Sequence, residues 1–79
     1  MDMTEAYNLL YKYYSYEKLN KLYKKKGFDG SETDTINKYK YNAELLRNVL
    51  PKENNDENRS ISMAAKLFDN LYEKEKWNK

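Results

Sequence analysis

The chain has 79 residues and carries 15 basic and 13 acidic side chains, for a formal net charge of +2. It contains neither cysteine nor histidine, which excludes disulfides, thiol nucleophiles and imidazole chemistry. The balanced charge lacks the strongly basic footprint of a dedicated nucleic-acid binder. The short apolar runs exclude a transmembrane helix and predict that there is no signal peptide.

Two short helices are predicted at the start of the chain. Asp2 followed by Glu5 is typical of an N-cap and first turn, and opens a helix over residues 3–14. The apolar side chains of that helix repeat at the spacing of one helical face: Met3, Tyr7, Leu10 and Tyr14. The stripe changes phase after Ser15, so this residue is predicted to cap a second helix over residues 16–26.

The second helix carries a clear stop signal. Gly27 stands where a left-handed residue ends a helix, and Phe28 can then pack on Tyr23 in a Schellman ending. The last turn holds three cations, which the helix dipole favours: Lys24, Lys25 and Lys26. The basic run therefore has a structural explanation that needs no ligand.

A third helix is predicted over residues 32–49. Ser31 or Thr33 can cap its start, and Pro51 ends it because the residue before a proline is pushed out of the helical region. The core stripe of this helix comprises Ile36, Tyr39, Ala43, Leu46 and Leu50. Its period indicates one face packed on the rest of the chain.

The last third of the chain is predicted to contain a loop and a fourth helix. Residues 52–59 include no apolar side chain and are expected to form a mobile polar loop. Ser60 is then predicted to cap a helix over residues 61–77. No segment alternates at the period of a strand. We therefore expect one domain over residues 1–79, an all-α fold in the form of a small compact bundle of about four helices.

Any catalysis by this chain would depend on carboxylates, since histidine and cysteine are missing. Asp69 and Glu73 are the clearest carboxylate pair on one helical face, but Lys66 and Lys76 stand at ion-pairing distance along the helix. Two segments imitate the start of a calcium loop and lack its glycine and its bidentate glutamate. We therefore expect no enzymatic activity, no metal site and no cofactor.

Several large side chains lie off the predicted core stripes. Helix 3 has a second stripe at Tyr41, Leu45 and Val49, roughly 100–160° from the first at 3.6 residues per turn. Tyr11 lies off the stripe of helix 1, and Trp77 stands in a polar tail. A wide buried arc accounts for some of these residues, but exposed aromatic side chains are also the expected anchors of an interface. These five residues are predicted to contact a protein partner, a second copy, or both.

The first part of the chain supports an alternative function. Between Tyr7 and Lys26 there are six lysines, six tyrosines and one glutamate. Lys18, Lys21 and Lys25 line one side of helix 2, and tyrosines can stack on bases. Binding of nucleic acid through these three lysines is therefore the alternative prediction. The competing interpretation is that the tyrosines belong to the core while the lysines solvate its outside.

The sequence favours a non-enzymatic protein-binding module, an inhibitor or modulator of a larger enzyme or complex. Abundant Lys, Asn and Tyr with little Gly, Pro and Ala is the bias of an AT-rich genome and suggests a phage or a mobile element as the source. The absence of cysteine favours a reducing compartment. A cytoplasmic protein without a membrane partner is therefore expected.

Overall fold

The computed structural model of the chain describes residues 1–50 and 55–77, and in the last helix it describes side chains from Glu57 onward. Within these residues the chain forms four α-helices and no strand. The helices are α1 (Met3–Tyr13), α2 (Tyr16–Lys25), α3 (Glu32–Val49) and α4 (Asn55–Trp77). The prediction of an all-α bundle of about four helices is confirmed.

The first two helices begin at the predicted caps. Asp2 Oδ1 accepts a hydrogen bond from the backbone N–H of Glu5 at 2.8 Å, and Ser15 Oγ accepts one from Lys18 at 3.2 Å. Tyr14 lies between the helices with extended backbone angles, φ −130° and ψ 109°. The chain therefore turns a corner at Tyr14 and Ser15, where the apolar stripe changes phase.

The predicted Schellman ending closes α2. Gly27 has a φ of +84°, its N–H donates to the carbonyl of Lys24, and the N–H of Phe28 donates to the carbonyl of Tyr23 at 3.1 Å. The Tyr23 and Phe28 ring centroids are 5.9 Å apart. These are the two backbone bonds and the apolar contact that define the motif.

The start of α3 is held by side chains of the preceding turn. Ser31 Oγ accepts a hydrogen bond from the backbone N–H of Asp34 at 3.2 Å, so Ser31 is the N-cap. Asp34 Oδ2 accepts a bond from the N–H of Asp29 at 2.7 Å, and Asp29 Oδ1 accepts one from the N–H of Ser31 at 2.9 Å. The helix covers the predicted residues.

The start of α4 differs from the prediction. The helix begins at Asn55, so the predicted loop over 52–59 is wrong for its last five residues, and Ser60 lies inside the helix instead of capping it. Residues 52–54 of that predicted loop lie outside the described part of the chain. Glu57, in the first turns, accepts hydrogen bonds from Lys12 Nζ and Tyr13 Oη on α1. These turns are attached to the bundle through polar contacts, so apolar periodicity does not reveal them.

The core lies where α3 and α4, the most extensive helix pair, meet α1. Its buried apolar cluster is made of Ala6, Leu10, Leu19, Ala43, Leu45, Leu46, Val49, Ile61, Ala64, Ala65 and Phe68. Leu45 is 6% exposed and Val49 is 7% exposed. The prediction that these two residues lie on an outward contact surface is therefore wrong. Because α3 packs against more than one neighbour, its buried arc is wide enough to include its second stripe.

Within residues 1–50 and 55–77, none of the helices has the apolar length needed to cross a membrane.

Candidate functional site

A cleft of about 300 Å³ opens between α1, α2 and α3. Eight residues line it: Tyr7, Tyr11, Tyr16, Leu19, Asn20, Tyr23, Thr35 and Lys38. We call it the tyrosine cleft, because half of its lining residues are tyrosines. Binding sites are usually concave, with a predominantly hydrophobic and aromatic lining and a few polar groups.

The corner between α1 and α2 brings the tyrosine rings together. Tyr11 and Tyr16 come from opposite sides of the corner, and their ring centroids are 5.9 Å apart in an edge-on arrangement. Tyr7 lies 5.9 Å from Tyr11 on one side and 5.1 Å from the buried Phe68 on the other. The rings therefore form a continuous series from the core to the rim of the cleft.

Exposure rises along this series. Tyr7 and Tyr23 are half-buried, whereas Tyr11 is 38% exposed and Tyr16 is 67% exposed. A tyrosine that projects from a fixed base offers a large contact area at a small cost in side-chain entropy. Tyr16 and Tyr11 are consequently the most solvent-accessible of the four lining tyrosines.

The inner wall of the cleft rests on a buried polar residue. The Tyr23 hydroxyl donates a hydrogen bond to Asn42 Oδ1, and Asn42 is fully buried on α3. Burial raises the pKa of both Tyr23 and Tyr7 above the ordinary value for tyrosine. Both phenols therefore stay neutral at physiological pH, so the wall carries no negative charge.

The charge of the cleft comes from Lys38. It is the charged member among the eight lining residues, all of which belong to the described part of the chain. Its Nζ lies 5.0 Å from the centroid of the Tyr23 ring, within the range of a cation–π interaction. The cleft already holds a cation of its own and is electrostatically suited to an anionic group.

The predicted contact residues do not form one surface. Tyr11 lines the tyrosine cleft, while Tyr41 is half-buried beside Phe28, with ring centroids 5.9 Å apart. Trp77 is 75% exposed at the end of α4, where its Nε1 donates to Glu73 at 2.9 Å. The three predicted residues that are not buried therefore lie at three separate places on the surface.

The lysines of the nucleic-acid alternative are all exposed on α2. Lys21 is 3.8 Å from Glu17 in an ion pair, and Lys18 Nζ lies 5.7 Å from the centroid of the Tyr14 ring. Lys25 borders a different hollow, beside Leu22. None of the three lines the tyrosine cleft, and each is available to solvent.

The carboxylates considered for catalysis have other partners. Asp69 accepts a hydrogen bond from Arg47 of α3, and Glu73 accepts one from Trp77. Among the described side chains, those of residues 1–50 and 57–77, no three acidic groups cluster closely enough to hold a metal ion. These carboxylates therefore act within the structure, as ion-pair and hydrogen-bond partners.

The sequence patterns do not predict most of the cleft. The apolar stripe of the first helix includes Tyr7, that of the second helix includes Tyr16 and Tyr23, and no pattern gives Lys38 a role. The density of tyrosines between Tyr7 and Tyr23 was the available signal. Helix periodicity alone attributes this density to core packing, because it carries no information about the angle between α1 and α2.

Comparisons with known proteins add no relative. No protein-family model matches the chain. Searches of curated proteins and of solved structures found no significant match either.

Proposed function

We propose that this protein is a non-enzymatic protein-binding module, and that the tyrosine cleft receives an acidic segment of a different protein. The observation that supports this most directly is the lining itself, in which four tyrosines surround a single charged residue, Lys38. Tyrosines are enriched at the energetic centres of protein interfaces. A carboxylate on the partner can pair with the lysine while its neighbours pack on the rings.

The position of Lys38 favours one of two kinds of ligand. Several tyrosines around a hollow also suit a quaternary or methylated ammonium group, through cation–π attraction. Here the Lys38 ammonium already lies over the Tyr23 ring, at 5.0 Å from its centroid. A second cation would be repelled, so an anionic side chain is the better match.

Composition supports the non-enzymatic part of the proposal. The chain has no histidine or cysteine, and the best carboxylate candidates, Asp69 and Glu73, are engaged by Arg47 and Trp77. We infer that the protein acts by inhibiting or modulating its partner. The amino-acid composition, which is typical of an AT-rich genome, supports a phage or mobile-element origin as part of the same proposal. The lack of cysteine supports a cytoplasmic setting.

Nucleic-acid binding stays as the second candidate. The observation that favours it is the exposure of Lys18, Lys21 and Lys25 along α2, close in sequence to the exposed ring of Tyr16. A single strand could stack a base on that ring while its phosphates contact the lysines. Such binding would weaken steeply as salt is raised.

Site-specific photo-cross-linking tests the proposal. A photoreactive phenylalanine analogue is placed at Tyr16, and at Met63 as a control, an exposed residue on α4. In extract of the native host, we expect a protein adduct at position 16 that is absent at position 63. Lys38→Glu should abolish the adduct, whereas Lys66→Glu, the same charge change on α4, should leave it intact.

The other outcomes overturn the proposal. An adduct that disappears after nuclease digestion supports the nucleic-acid alternative. An adduct of twice the chain's mass means that the cleft binds a second copy instead of a different protein. Equal adducts at positions 16 and 63, or none at position 16, mean that the cleft is no contact site.

A further inference from the structure

A second concave surface lies on the other side of Tyr23. Two hollows of about 270 and 350 Å³ share Lys26 and Tyr41. Their remaining lining residues are Leu22, Lys25, Phe28, Asn37, Lys40 and Glu44. We call this surface the Phe28 groove. It is formed by the end of α2, the turn after it and the middle of α3, and shares no lining residue with the tyrosine cleft.

The groove has an aromatic floor made of its lining residues Phe28 and Tyr41, and both pack against Tyr23, which lines the tyrosine cleft. Phe28 lies 5.9 Å from Tyr23 and 5.9 Å from Tyr41 between ring centroids, and the two tyrosines are 6.1 Å apart. Each ring thus contacts the other two. Because the backbone of Phe28 is bonded to α2 through the Schellman ending, the floor is held in place from the helix end.

The rim of the groove is basic. Lys25, Lys26 and Lys40 border it against one acid, Glu44. Lys26 Nζ lies 5.2 Å from the centroid of Tyr41, so one of these charges is held directly over the floor. Apolar rings surrounded by ammonium groups suit a ligand that has apolar side chains and carboxylates within a few residues of each other.

We infer that the Phe28 groove is a second docking surface, and that its occupant is an acidic, amphipathic segment of a partner protein. The argument is charge complementarity around an apolar floor, which favours encounter with acidic surfaces and disfavours basic ones. Single-stranded nucleic acid also carries rings and negative charge. However, its regularly spaced phosphates call for a continuous basic track, whereas Glu44 interrupts this rim. The inference does not depend on the tyrosine cleft.

Titration of the ¹⁵N-labelled protein with defined peptides tests the inference by NMR. The probe is a synthetic peptide of glutamates interrupted by one leucine and one phenylalanine. Two control peptides replace either the glutamates by glutamine or the two apolar residues by serine. We expect saturable amide shifts centred on Lys26, Phe28 and Tyr41 with the probe, and much weaker shifts with either control peptide.

Charge-reversal variants provide the matched control in the protein. The double variant Lys26→Glu/Lys40→Glu should weaken probe binding on the order of tenfold or more. The double variant Lys66→Glu/Lys74→Glu carries the same charge change on α4 and should bind like the wild type. Far-UV circular dichroism verifies that both variants remain helical, which the exposure of all four lysines leads us to expect.

Three results would overturn the inference. The first is a set of amide shifts that do not saturate and that appear equally at the lysines of α2 and of α4. The second is equal binding of the serine control peptide, which would leave the aromatic floor without a role. The third is tighter binding of single-stranded DNA than of the probe at the same residues, which would assign the groove to nucleic acid.

Discussion

The sequence around Asn42 does not reveal that this side chain is buried. It is fully buried, its Oδ1 accepts a hydrogen bond from Tyr23, and its Nδ2 finds no hydrogen-bond partner among the described residues. Buried polar groups in proteins are almost always paired. The bond to Tyr23 is therefore the polar contact that offsets the desolvation of this side chain.

We expect Tyr23→Phe to destabilise the protein by about 1–3 kcal/mol, because the buried side-chain oxygen of Asn42 would then lose its hydrogen-bond donor. Urea unfolding followed by circular dichroism measures the effect. Tyr16→Phe removes the same hydroxyl from an exposed ring and should change stability little. The double variant Tyr23→Phe/Asn42→Leu removes both partners and should recover most of the loss. A neutral effect of Tyr23→Phe would show that the hydrogen bond contributes nothing to stability.

At the scale of elements, the contact between α1 and the first turns of α4 is polar. Glu57 accepts hydrogen bonds from Lys12 Nζ and Tyr13 Oη, and these bonds, that of Lys12 foremost, lower the pKa of its carboxyl. A carboxyl with a lowered pKa in the folded state favours folding when it is ionised. This link between α1 and α4 is therefore sensitive to acid.

The pH dependence has a definite sign. The contribution of Glu57 is fully present above its ordinary pKa of 4.5 and is lost as the pH falls through the lower value of the folded state. We expect the free energy of unfolding to fall on acidification below about pH 4.5, and less steeply in Glu57→Gln. Denaturation curves between pH 2 and 7 measure this. Glu75→Gln removes the same charge near the exposed end of α4 and serves as the control. Parallel profiles for the wild type and Glu57→Gln would contradict the expectation.

At the scale of the whole molecule, the four helices contribute unequally to the buried core. The buried positions of α3 and α4 form most of the core, whereas α2 contributes one buried side chain, Leu19. Elements with few buried contacts open at a lower free energy than the core. Both proposed binding surfaces use α2, so they are built on the least firmly attached helix.

Native-state hydrogen exchange should resolve this order. We expect the slowest exchange in the central turns of α3 and α4, faster exchange in α1, and the fastest in α2, because opening α2 exposes little apolar surface. A ligand of either proposed surface should slow the exchange of α2 more than that of α4. Equal protection of all four helices would contradict the expectation and indicate a single cooperative unit.

Much of the fold could be predicted from the sequence because its determinants are local. The caps at Asp2, Ser15 and Ser31 and the helix end at Gly27 each depend on bonds between residues three to five positions apart. The candidate sites could not be predicted in this way. Tyr7, Tyr16 and Lys38 meet only because three helices pack at particular angles.

The sequence by itself determined the all-α class, the starts of the first three helices and the Schellman ending of α2, since caps and glycine conformations act within a turn of the chain. Tertiary structure decided which faces are buried. It placed Leu45 and Val49 in the core and held Glu57 against α1. It also left Tyr11 and Tyr16 at the rim of a cleft. Burial depends on how many neighbours each helix has and at what angle they cross, and no periodicity within one helix contains that information.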